Sequence, residues 1–79
     1  MDGSRIDIPV SHEEVIIKGH SCFVTVHSGV KISRLIITGN NTVVVSSDNE
    51  NGFTNEIVDV SILGNVNSIK CRVTGRLNV

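Results

Sequence analysis

The chain has no tryptophan or tyrosine, and only Phe23 and Phe53 carry a large apolar ring among its 79 residues. A core built without large rings is thin, which suits stacked sheets or the coils of a solenoid. A net charge of −1 removes any whole-chain pull toward nucleic acid or anionic lipid. No apolar run approaches the length that crosses a bilayer. The opening residues 1–10 lack a basic start followed by an apolar stretch, so no secretory signal is expected. With two cysteines, the expectation is a cytoplasmic protein with reduced thiols. Glycine-rich phosphate-binding loops of either common type are also missing.

What is present points one way. Apolar residues make up 39% of the chain and charged residues 19%, too apolar and too weakly charged for disorder. The apolar share is mostly Val and Ile, which favour strands. The length suits one domain with a small core.

The organising phrase is 35–47, LIITGNNTVVVSS: an apolar run, a Gly-Asn-Asn corner, then a β-branched run. Looser copies stand before it at 15–27 and after it at 61–73. Gly19, Gly39 and Gly64 follow the apolar runs, and the second interval between them exceeds the first by five positions. The excess fits in a polar insertion at about 46–55 that contains the turn signal Asn51-Gly52. Periods of roughly 20 residues mark solenoids. Each unit reads as three short strands: 15–17, 23–26 and 30–32; then 35–37, 43–45 and 57–60; then 62–63, 69–73 and 77–79. Aligning Ile69 with Val44 and Val24 is expected to need a one-residue shift in the third unit. Stacking places His20, Asn40 and Asn65 in one corner ladder, where Asn tolerates left-handed backbone and can bond the next rung.

Residues 1–14 are less regular and read as an N-terminal edge and cap. Ile6, Ile8 and Val10 alternate with Asp7 and Pro9, as in an extended edge segment, and 11–14 has capping-box spacing for a single turn. The expected fold is therefore all-β: one short right-handed parallel β-helix of three to four coils, with repeats over 15–79. The phrase at 36–45 resembles the coil repeat of right-handed parallel β-helix proteins, loosely that of bactofilin-like polymers. The resemblance is one of repeat type over 15–79. It implies filament assembly through coil ends, without nucleotide.

Candidate chemistry is sparse. His12, His20 and His27 lack the i, i+4 spacing of a helical metal pair, and neither a metal nor a cofactor is expected. Cys22 and Cys71, placed two rungs or about 9.6 Å apart, are too far for a disulfide. Asn40-Asn41-Thr42 fits a glycosylation sequon but is read as the corner motif. Lys70, Arg72 and Arg76 form a basic segment without the interleaved aromatics of a single-strand nucleic-acid binder. Asp48, Asn49, Glu50, Phe53, Glu56 and Asp59 form an acidic region suited to contact with another protein. The C-terminal segment, with Val73, Arg76, Leu77 and Val79, is strand-like and lacks a polar cap, so it is expected to be covered by a second copy or by a partner. The leading functional expectation is a non-enzymatic, self-associating structural module, a dimer or larger. The alternative is a small protein-binding effector or inhibitor of the phage type, blocking a host complex through residues 46–59. A carbohydrate-acting enzyme is the third reading.

Overall fold

The structure, a computed structural model, describes residues 3–47 and 54–78. The described chain is all β: β1 (Arg5–Ile8), β2 (His12–Ile17), β3 (Phe23–Val26), β4 (Lys31–Ile37), β5 (Val43–Ser46), β6 (Glu56–Ile62), β7 (Ser68–Lys70) and β8 (Leu77–Asn78). Odd-numbered strands form one four-stranded sheet, β1-β3-β5-β7, and even-numbered strands form a second, β2-β4-β6-β8. The chain thus alternates between two sheets, and every strand pairing is parallel.

The sequence supplies this pattern through small aliphatic columns. Ile6, Val24, Val44 and Ile69 pair in succession across the first sheet. Val15, Leu35, Val60 and Leu77 do so across the second. The buried core is aliphatic apart from Cys22, and includes Ile17, Val24, Val26, Ile32, Leu35, Ile37, Val44, Ile57 and Val60. β-branched side chains pack well on pleated surfaces, and no ring is needed to fill the narrow space between the sheets.

Three local expectations change. The segments read as separate strands at 30–32 and 35–37 run together as β4, and 57–60 joins 62 in β6. Ser33 and Arg34 are polar but do not break the strand. Both face outward while Ile32 and Leu35 are buried, so the in–out alternation, normally of period two, slips by one residue there. β6 repeats the slip, with Ile57 and Val60 buried. The capping-box turn at 11–14 is replaced by the start of β2. Register places His12 and Glu14 against Ile32 and Arg34, and ladder pairing outweighs one isolated turn. The boundary expected at residue 14 therefore falls inside a strand. Finally, Ile69 lies over Val44 with no one-residue shift. The offset from β2 to β4 (Val15 to Leu35) equals that from β3 to β5 (Val24 to Val44). The offsets from β4 to β6 (Leu35 to Val60) and from β5 to β7 (Val44 to Ile69) are again equal to each other, and longer by five positions.

That change of offset locates the insertion. The β3–β4 connection spans 27–30 and the β5–β6 connection spans 47–55; nine residues against four accounts for the whole excess. Asn55, fully buried, fastens the return. Its Nδ2 donates to the carbonyls of Val26 and His27 and to Ser46 Oγ. Gly29 N–H donates to Thr54 Oγ1 at 2.9 Å beside it. Among the described residues no helix is long and apolar enough to cross a membrane.

Candidate functional site

Two features stand out: a stacked corner and the C-terminal edge. The corner links the second sheet to the first at 18–22, 38–42 and 63–67. Gly19, Gly39 and Gly64 stack so closely that a Cβ on Gly39 would overlap the Gly19 carbonyl, and one on Gly64 would overlap that of Gly39. His20, Asn40 and Asn65 follow. Asn40 N–H donates to His20 Nδ1 at 3.1 Å, and Asn65 N–H donates to Asn40 Oδ1 at 2.7 Å. The links are thus backbone to side chain rather than amide to amide.

The left-handed residue is not the ladder Asn but the one after it. Ser21, Asn41 and Val66 have φ of 57°, 57° and 58°, and Gly3 has 68°. Gly3, Ser21 and Asn41 donate their N–H groups to the carbonyls of His20, Asn40 and Asn65 respectively. Gly3 therefore begins a corner column that the sequence alone does not announce. Asn67 closes the last corner: its Oδ1 accepts from Thr42 N–H and its Nδ2 donates to Gly39 O.

The C-terminal edge consists of the last corner at 63–67, β7, β8 and the connection between these two strands. Its backbone is tied to β6. Ile57 N–H donates to Arg72 O, Thr74 N–H to Ile57 O, Gly75 N–H to Val58 O and Val60 N–H to Arg76 O. Two of the carboxylates expected to meet a partner take part in this tie. Thr74 Oγ donates to Glu56 Oε2, and Arg76 N–H donates to Asp59 Oδ1 at 3.0 Å. The Thr74 hydroxyl, helped by Lys31 and Arg72 against some desolvation, holds the Glu56 carboxyl below its ordinary pKa. Asp48, Asn49, Glu50, Phe53 and Val79 lie outside the described residues.

The edge is apolar as well as cationic. Leu63, Val66 and Leu77 are 73%, 81% and 55% exposed. A depression of about 330 Å³ runs among Ile62, Gly64, Val66, Ile69 and Leu77. Val73 is different: it is half-buried, packs on the core and bridges Ile57, while Arg76 lies exposed beside Leu77.

The two cysteines stand in different columns. Cys22 is buried with its Sγ 3.7 Å from the His20 carbonyl, which keeps the thiol turned inward. Cys71 stands in the column of Ser46 and Val26, by extension of the β5–β7 register. The residue in the column of Cys22 is Asn67, not Cys71. Neither thiol belongs to a disulfide. Among the described residues no group of three or more His, Cys, Asp or Glu is arranged to hold a metal ion. Comparison with protein-family models, with curated proteins and with solved structures gives no significant match.

Proposed function

We propose that the chain is a short right-handed parallel β-helix acting as a non-enzymatic structural module that self-associates through its coil ends. The alternation of parallel strands between two sheets supports the coil, and right-handedness follows the general chirality of parallel crossover connections. The observation that carries the functional reading is the C-terminal edge. Strand edges and exposed Leu63, Val66 and Leu77 occur together there, and such an edge is a template for pairing. Covering a few hundred Å² of apolar surface contributes roughly 5 to 10 kcal/mol before association costs. That is comparable to the whole stability of a small domain, about 5 to 15 kcal/mol.

Light scattering after size exclusion tests the reading on wild type and Leu77→Asp. Wild type is expected above monomer mass, with the variant shifted to monomer. A wild-type monomer at every concentration overturns the proposal.

A further inference from the structure

The two edges of the sheets carry opposite charge, and the register says how they would meet. β1 and β2 hold Asp7, Glu13 and Glu14 against a single Arg5, whereas 68–78 holds Lys70, Arg72 and Arg76 and no acid. Across the second sheet one column alternates in sign. Glu14 Oε2 meets Arg34 Nη1 at 2.9 Å, Arg34 pairs in register with Asp59, and Asp59 Oδ1 accepts from Arg76 N–H. The column begins with an anion and ends with a cation. Across the first sheet, Asp7, Thr25, Val45 and Lys70 occupy one column, again with opposite charges at its two ends.

Resting on the reading that coil ends meet a second copy, we infer that the occupant of the C-terminal edge is the N-terminal edge of another copy. β7 docks on β1 and β8 on β2, in a head-to-tail stack that continues the internal register. Ile69 then lies over Ile6 and Leu77 over Val15, which extends both aliphatic columns. Lys70 faces Asp7, and Arg76 faces Glu14. Opposite charges across neighbouring strands are favourable and like charges are not. A pairing of two C-terminal edges would set Lys70, Arg72 and Arg76 against the same three cations. A pairing of two N-terminal edges would do the same with acids. Each edge thereby rejects its own kind while accepting the other, so the contact is heterologous and grows as an open chain of copies rather than closing at a dimer.

Asp7 and Lys70 are both exposed, so charge reversal there leaves the core intact. The full chain carrying Asp7→Lys, Lys70→Asp or both is followed by concentration-dependent light scattering, with circular dichroism as the check of folding. Each single reversal is expected to raise the concentration needed for assembly about tenfold, and the double reversal to restore it. Loss of assembly in only one of the single variants, or a double variant no better than the singles, would show a same-end contact and overturn the head-to-tail register. Either result would leave self-association standing. A wild type that never assembles removes the underlying reading instead.

Discussion

The two kinds of corner in this molecule differ in one respect that explains most of its construction. Corners from the second sheet to the first are all five residues long, at 18–22, 38–42 and 63–67. Corners from the first sheet to the second are three, four, nine and six residues long, at 9–11, 27–30, 47–55 and 71–76. The constant corner is locked from three sides. Its glycines stack against backbone, its left-handed residues donate to the neighbouring rung, and its His or Asn side chain receives an N–H from the next corner along. An added residue would unmake all three. The variable corners are fastened differently from one another: 47–55 returns through Asn55, and 71–76 is tied to β6 by backbone bonds and by Glu56 and Asp59. Register is therefore held on one side of the molecule and length is absorbed on the other.

Substitutions can break that contrast or sharpen it. The largest effect is expected from Gly39→Ala, which forces a methyl into the Gly19 carbonyl and should destabilise by more than about 3 kcal/mol. Gly29→Ala, at the variable corner, meets open space and suffers only from its φ of +75°, a loss of about 1 kcal/mol. Urea unfolding of the two variants side by side gives the comparison directly, and equal losses would refute the distinction. Next comes Asn55→Ala, which removes the buried donor to Val26 and His27 and should lose about 2 kcal/mol. A change below experimental error would mean that the return of the insertion is fastened elsewhere. Val66→Asn works in the opposite direction. A β-branched residue at φ 58° is strained, and the second unit already places Asn41 there, so a gain of about 1 kcal/mol is expected. A lower urea midpoint would instead show that the Val66 side chain contributes packing, despite its 81% exposure. The smallest effect concerns pH at the tie between β6 and 71–76. The lowered pKa of Glu56 means that its contribution is complete above the ordinary glutamate range and disappears as pH falls through the lowered value. Thr74→Val should cost stability at neutral pH and converge with wild type in acid. A difference independent of pH would show that the hydroxyl acts otherwise.

Much of this was legible in the residues, and the missing part has a common cause. The unequal glycine intervals revealed the repeat and the excess in its second step, because a steric column tolerates only one residue type. The left-handed column was not legible. Gly3, Ser21, Asn41 and Val66 share no side-chain chemistry, and what joins the first three to the next rung is a backbone hydrogen bond. Asn40 looked like the left-handed residue because Asn tolerates that region, yet its amide serves as an acceptor instead. Asn55 read as loop polarity, since only the returning chain buries it. Ser33 and Arg34 read as a break, since a slip in alternation is invisible without the neighbouring rungs. The charge column Glu14, Arg34, Asp59 and Arg76 advances along the chain by three unequal steps. No single period displays it until pairing is known.

The added length is absorbed entirely within one connection, and both sheets resume their pairing above it with the same offset. Rung geometry is therefore insulated from what the chain carries between Ser47 and Thr54. A foreign peptide grafted there would ride on the scaffold without altering its frame. In a head-to-tail stack it would be displayed once per copy, at a fixed interval along the fibre.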